Sequence, residues 1–241
     1  MTAGRFGTVV FDCDSTLSRI EGIDELATAH RAEIAALTDA AMDGRIPLEA
    51  VYGRRLALVR PSREALAALG RRYAETLVPD ARETVAALRA EGVEVRVVSG
   101  GLRPAVAALA AALGVPDELV AAVDVRFDAR GEYSGFDERS PLARSGGKRE
   151  VLAAWLDGAP RPAMLVGDGM TDLEARPAVD RFVAYAGVIA RDAVVRAADA
   201  VVRSPSLAPV LALALGDAPP RDATARALYE RGRDLLARQA S

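Results

Sequence analysis

Three short apolar runs rich in β-branched residues, Thr8–Phe11, Val93–Val98 and Ala163–Val166, each stop abruptly at a group of polar residues. No other pattern in the 241 residues limits the fold so strongly. Thr8–Phe11 and Ala163–Val166 are almost wholly apolar, while Val93–Val98 sets Glu94 and Arg96 between valines; all three read as buried strands of a parallel sheet. Helical stretches separate them: Asp80–Glu91 closed by Gly92, Pro104–Leu113 closed by Gly114, and Lys148–Leu156. Two further runs, Phe182–Ala184 and Ala200–Val202, complete the predicted sheet, and Asp124–Phe136 alternates around Arg130-Gly131 as a hairpin. Strand–helix alternation of this kind predicts an α/β fold with a doubly wound parallel sheet.

Residues 21 to 78 interrupt that alternation. They carry Ala, Leu and Arg at helical spacing, with breaks near Gly44–Pro47, Arg60–Ser62 and Val78–Pro79. The expected organisation is therefore a discontinuous core, 1–16 and 79–216, with an inserted α-helical cap at 17–78. A C-terminal helical extension follows at 217–241. Within it Arg221–Gln239 reads as an amphipathic helix, with Ala225, Leu228, Leu235 and Leu236 roughly on one side.

A 51% hydrophobic composition is enough for a sizeable core, and the net charge of -3 gives no basic excess for nucleic acid or an anionic membrane surface. The apolar runs are too short to span a bilayer. No charged-then-apolar leader is expected, because Gly7–Asp12 already reads as a strand. One cysteine, Cys13, excludes an internal disulfide framework and suits a reducing cytoplasm. Nothing in the sequence chooses between a monomer and a homodimer.

The polar groups at the strand ends carry the chemistry. They are Asp12 and Asp14, Ser99-Gly100-Gly101, and Asp168 followed by Asp172. In open α/β sheets ligands bind beyond the carboxyl ends of the strands, so these segments are expected to share one crevice. Lys148, opening a helix after Ser145-Gly146-Gly147, could reach it too. Asp12, Asp14, Asp168 and Asp172 would bring up to four negative charges together, untenable without a cation or strongly raised pKa values. An all-oxygen set without His or Cys favours Mg²⁺ over zinc. Ser99, the Gly100-Gly101 amides and Lys148 are donors suited to phosphate oxygens. The set reads as Mg²⁺-assisted phosphoryl chemistry, with Asp12 as nucleophile and Asp14 as general acid and base. Any one of these residues alone reads as a turn, a cap or a surface charge; their joint occurrence at strand ends does not. Cys13 reads as a small buried filler, and His30, the only histidine, as a surface residue, so a histidine triad has no support.

With these motifs in view, the chain resembles the haloacid dehalogenase superfamily of phosphatases over residues 5 to about 203. Asp12-Cys13-Asp14-Ser15-Thr16, Val98-Ser99-Gly100-Gly101, Lys148 and Gly167-Asp168-Gly169-Met170-Thr171-Asp172 match its four motifs. The resemblance implies a Rossmann-like core, an aspartyl-phosphate on Asp12, and Asp14 as acid/base. It implies Mg²⁺ held by Asp12, the Asp14 carbonyl and Asp168, supported by Asp172, with Ser99 and Lys148 on the phosphoryl group. Thr171, inside the fourth motif, and Gly100 join the expected substrate contacts. The stretch "IEGIDELA" resembles the phosphoserine phosphatases, which implies Glu21 near a substrate ammonium. "MDGRIPLEAVYGRRLALV" matches their cap pattern, implying Met42 beside the substrate and Arg55 on its carboxylate. Leu48 stands where that family often has Phe, and the tail from about Gly216 extends past its usual end.

The cap also speaks without the resemblance. Leu48, Val51, Tyr52, Arg55 and Val59 fall on one helical face, so Arg55 sits in an apolar stripe, with Arg54 as the alternative. A guanidinium there either snorkels from the bundle edge or forks into a closed pocket. The expected enzyme is a cytoplasmic phosphoserine phosphatase of serine biosynthesis, acting on a small phosphorylated metabolite. The same site could serve another small phosphate or a homoserine phosphotransferase. A receiver-like phospho-aspartate switch shares the acidic cluster, the Ser/Thr and the Lys but lacks the helical insertion.

Overall fold

The computed structural model describes residues 4–27 and 30–240, the side chain of Ala240 excepted. The chain begins with β1 (Thr8–Phe11), all four residues buried. The insertion follows as α1 (Gly22–Leu26), α2 (Arg31–Met42), α3 (Leu48–Val59) and α4 (Arg63–Glu75). Then come α5 (Ala81–Ala90), β2 (Glu94–Leu102), α6 (Arg103–Ala112) and β3 (Val120–Val123). The hairpin β4 (Val125–Phe127) and β5 (Tyr133–Phe136) leads to α7 (Gly147–Trp155), β6 (Ala163–Gly167) and α8 (Met170–Ala175). The chain closes with β7 (Arg181–Tyr185), α9 (Asp192–Ala197), β8 (Ala200–Val202), α10 (Ala208–Leu215) and α11 (Ala223–Ala240).

Six parallel strands form the sheet in the order β3-β2-β1-β6-β7-β8. Val9, Val10 and Phe11 of β1 and Met164, Leu165 and Val166 of β6 are wholly buried, which is why these runs carry no polar alternation. Helices α5, α10 and α11 pack together, as do α7, α8 and α9. Right-handed crossovers put the two sets on opposite faces of the sheet. The chain winds outward from β1 through β2 to β3, and outward the other way from β6 to β8. The order therefore reverses between β1 and β6, and a crevice opens at their carboxyl ends.

Two details differ from the sequence-based expectation. The sheet has a strand the sequence reading lacks, β3, at the edge beside β2. Its Val-Ala-Ala-Val run is half-exposed in the middle and carries little hydrophobic signal. The second strand also does not stop at Val98. It continues to Leu102, with its register against β3 shifting between Val98 and Leu102. Ser99-Gly100-Gly101 is thus irregular strand, held where Gly101 N–H donates to Ser99 Oγ at 2.9 Å, rather than a tight turn.

The insertion is less separate than a free bundle. Helix α4, capped by Ser62 Oγ accepting from Ala65 N–H, packs lengthwise on α6 of the core. A Cβ built at Gly70 would lie 2.6 Å from Ala108 Cβ, so glycine is what lets the two helices approach. Ser18 pairs with Leu77 in an antiparallel bridge that draws the two ends of the insertion together.

Candidate active site

The crevice and the underside of the insertion enclose a cavity of about 50 Å³, measured to the centre of a water molecule. Asp12, Asp14, Glu21, Met42, Arg55, Ser99, Gly100, Lys148, Asp168 and Thr171 all line it. Residues scattered over 160 positions of sequence therefore meet at one switch point.

Asp12 is fixed by the sheet itself: its N–H donates to Val166 O at 2.9 Å, extending the β1–β6 ladder by one residue. One oxygen each of Asp12, Asp168 and Asp172 lies within 4.8 Å of the others, and all three residues are buried. The expected four-carboxylate cluster thus narrows to three among the described residues. The Asp14 carboxyl is turned elsewhere: its Oδ1 accepts from Tyr73 Oη at 2.5 Å and from Gly22 N–H at 2.7 Å. The Asp14 carboxyl therefore stands outside the metal-competent cluster.

Lys148 stands between two of the acids, 3.1 Å from Asp12 Oδ1 and 2.5 Å from Asp172 Oδ1. Asp172 also accepts from Gly169 N–H at 3.1 Å, which holds it behind the cavity wall rather than in it. Burial alone would make Lys148 easier to deprotonate, but Asp12 and Asp172 reverse the sign and keep it charged. The Lys148 ammonium and the Arg191 guanidinium, 3.4 Å from Asp168, are two positive charges against three carboxylates and do not neutralise the group. Burial, then Asp172, push Asp12 up to about 7. Burial, then Asp12, push Asp14 up to about 6. Asp168 is driven well above the carboxylate range by burial, then by Glu21, Asp12 and Asp172. Converging buried oxygens short of positive charge fit a hard divalent cation.

The opposite wall comes from the insertion. Ser15, in the left-handed region at φ 51°, donates from Oγ to Glu21 Oε1 at 2.6 Å. Burial, then Asp14, raise Glu21 to about 7. Arg55 is 4% exposed and lies 5.6 Å over the Tyr52 ring. Its Nη1 donates to Thr38 Oγ1 at 2.8 Å, and Thr38 in turn donates to Asp24 Oδ1 at 2.6 Å. Arg55 Nε is buried without a hydrogen-bond partner. A guanidinium anchored at one end with an unpartnered N–H at the other is set to receive an anion. Arg54, the alternative, is exposed and pairs with Glu33 at 2.5 Å.

Several residues that shape the site carry no sequence signal of their own. Arg191, at the start of α9, is 6% exposed; its Nη1 donates to Asp43 Oδ1 at 2.8 Å and its Nε to Asp168 Oδ2 at 3.4 Å. It ties the end of α2 to the carboxylate cluster. Tyr52 Oη donates to Gly100 O at 2.7 Å, and Ser145 links to α3 by accepting from Leu48 N–H at 3.0 Å. Tyr73, Tyr52 and Thr38 all sit on stripes readable as core, and a buried hydroxyl that needs a partner is the one hint they offer. Cys13 is wholly buried, and His30 is exposed.

An α/β core with an acidic switch point under a helical insertion defines the class. The family model of the haloacid dehalogenase-like hydrolases matches residues 9–176, and the chain belongs to that family. Within it the chain groups with the phosphoserine phosphatases. The phosphoserine phosphatases of Bos taurus and Homo sapiens are each 40% identical to it over 189 residues, 77% of this chain and 84% of theirs. Among solved structures, a substrate-bound phosphoserine phosphatase complex superposes with a TM-score of 0.73 at 26% identity, covering 86% of this chain and 97% of that one. A phospho-aspartyl intermediate analogue of phosphoserine phosphatase also gives 0.73 at 26% identity, covering 86% of this chain and 98% of that one. No helix among the described residues is long and apolar enough to cross a membrane.

Proposed function

We propose that the chain is a Mg²⁺-dependent phosphoserine phosphatase that converts O-phospho-L-serine and water to L-serine and phosphate in the cytoplasm, as a step of serine biosynthesis. The observation that carries this reading is one cavity in which Asp12, Asp168 and Lys148 are lined up with Glu21 and Arg55, with Asp172 behind the wall. Three charges of phosphoserine find complements there: the phosphate at Lys148 and the cation the acids would hold, the ammonium at Glu21 and the carboxylate at Arg55 Nε.

Asp12 attacks phosphorus as the bond to the seryl oxygen breaks, and Asp14 gives that oxygen its proton. The phosphoryl group then rests on Asp12. Asp14 next takes a proton from the water that attacks phosphorus, and phosphate leaves. Lys148, Ser99 Oγ and the Gly100-Gly101 segment hold the phosphoryl oxygens, while Met42, Leu48 and Thr171 wall the small alcohol. Asp12, Asp168 and the Asp14 carbonyl, with Asp172 behind, would hold Mg²⁺, which would supply the positive charge that the acids and phosphate lack. Insertion residues over the cavity keep bulk water from the phosphoryl group.

Turnover of a panel of small phosphomonoesters with Mg²⁺ tests the reading. Phosphoserine is expected to give the highest kcat/KM. A ranking below generic alkyl phosphates, or conversion of added homoserine to phosphohomoserine at a comparable rate, overturns it.

A further inference from the structure

Tyr73 lies on α4, is 1% exposed and does not line the cavity, yet its hydroxyl reaches the one acid the cluster leaves aside. We propose that Tyr73 is a positioning residue for proton transfer by Asp14: with Gly22 N–H it occupies Oδ1 and leaves Oδ2 as the oxygen that carries the proton. The inference rests on the reading of Asp14 as general acid and base.

The argument is one of hydrogen-bond capacity. A protonated carboxyl has one O–H and one carbonyl oxygen. An oxygen that already accepts from a phenol at 2.5 Å and an amide at 2.7 Å cannot hold the proton without ejecting a donor. The proton therefore resides on Oδ2. That oxygen lies above the Gly101 backbone: a Cβ built there would be 3.1 Å from Asp14 Oδ2 and 3.0 Å from Ser99 Oγ. The same Cβ would lie 3.1 Å from Val106 Cγ2, so Oδ2 sits close to Ser99 Oγ, a proposed phosphoryl contact, and Asp14, Ser99 and Gly101 all line the cavity. The anchor is firm because α4 is seated on α6 of the core, closely enough to require Gly70. The proton leaves Oδ2 for the seryl oxygen as its bond to phosphorus breaks, and returns to Oδ2 from the attacking water.

Tyr73→Phe removes one oxygen and keeps the ring. The measurement is kcat/KM, which reports on phosphoryl transfer to the enzyme, for two substrates. Phosphoserine leaves as an alkoxide and needs the proton; acetyl phosphate leaves as a carboxylate and does not. Tyr73→Phe is expected to lower kcat/KM for phosphoserine by roughly 10-fold or more and for acetyl phosphate by less than about twofold, as general acid catalysis is worth about 10²–10⁴-fold. Equal losses on both substrates, or no loss on either, overturn the proposal. Asp14→Asn separates the two layers. If it lowers both substrates equally, the acid/base reading itself fails. If it discriminates and Tyr73→Phe does not, only the Tyr73 proposal fails. Should Tyr73→Phe prove unfolded by thermal denaturation, Gly22→Ala is the second variant. Its methyl would lie 1.9 Å from Tyr73 Oη and displace the hydroxyl, with the same discrimination expected and the same outcomes overturning the proposal.

Discussion

Asp12 and Asp14 are two residues apart and occupy different electrostatic worlds. Asp12 shares Lys148 with Asp172, so its carboxylate is pre-aligned by a cation. Asp14 has two neutral donors on one oxygen, and its other oxygen has none of them. Lys148 gives the Asp12 carboxylate a positive partner, yet burial and Asp172 still raise it to about 7, above Asp14 at about 6, so keeping the nucleophile charged falls to a further cation. Asp12→Asn is expected to lower kcat for phosphoserine by roughly 10⁴-fold or more, since removing a nucleophile removes the covalent route. Activity within about tenfold of the parent would sink the nucleophile assignment. Arg55→Lys keeps the charge and loses the fork. KM is expected to rise about 10- to 100-fold with kcat within about threefold, matching one or two charge-assisted hydrogen bonds. A loss in kcat alone would place Arg55 outside the binding of the carboxylate.

At the scale of elements, the helices of the insertion divide the work. Helix α2 supplies Thr38 and α3 supplies Arg55, and the Asp24–Thr38–Arg55 relay joins three helices behind the guanidinium. Thr38→Val keeps the shape and strands Asp24 and Arg55 Nη1 without their partner. It is expected to raise KM for phosphoserine by roughly 10-fold while Thr38→Ser stays close to the parent, consistent with about 1–3 kcal/mol for a broken buried bond. Equal behaviour of the two variants would remove the relay from substrate binding. Helix α4 acts differently, as a part of the platform. Gly70→Val would force α4 away from α6 and is expected to destabilise the fold by about 1–3 kcal/mol, read as a lower midpoint in urea. At the far end of the chain, α11 docks on α10 with Tyr229 buried, and Gln239 donates to Val201 O and accepts from Arg203 N–H. The extension thus covers an edge strand, β8, that would otherwise present unpaired backbone.

For the whole molecule, the acidic cluster makes stability depend on pH and metal together. Asp12, Asp14 and Glu21 sit at about 7, 6 and 7 against ordinary values of 3.8, 3.8 and 4.5. Raised values mean that the folded metal-free chain binds more protons than the unfolded chain between those limits. Their contribution to stability is full below the ordinary values and is lost as pH rises through about 6 to 7. A divalent cation held by Asp12 competes with its proton and stabilises the charged form. The gain in Tm on adding Mg²⁺ to chelator-treated protein is therefore expected to grow from about pH 5 to about pH 7.5. A gain that stays flat or shrinks over that window would show that the cluster does not bind the metal.

The sequence by itself determined the strands and the chemistry placed at their ends. Thr8–Phe11 and Ala163–Val166 are buried on both faces, and that burial writes an unbroken apolar run that no polar interruption hides. Asp12, Ser99 and Asp168 stand directly at such runs, so the sheet alone brings them together. The edge strand β3 was not legible, because a half-exposed Val-Ala-Ala-Val run carries little hydrophobic contrast. The course of Ser99-Gly100-Gly101 was not legible either, since its register against β3 is a pairing between distant segments. Arg55 stands out over Arg54 by its place in an apolar stripe, but its partner Thr38, and Asp24 behind it, needed the packing of α2 against α3. Tyr73, Thr38 and Arg191 were decided by tertiary structure alone. Their polar atoms find partners 59, 14 and 148 residues away in sequence, and periodicity records which face is buried, not what a buried hydroxyl or guanidinium will meet.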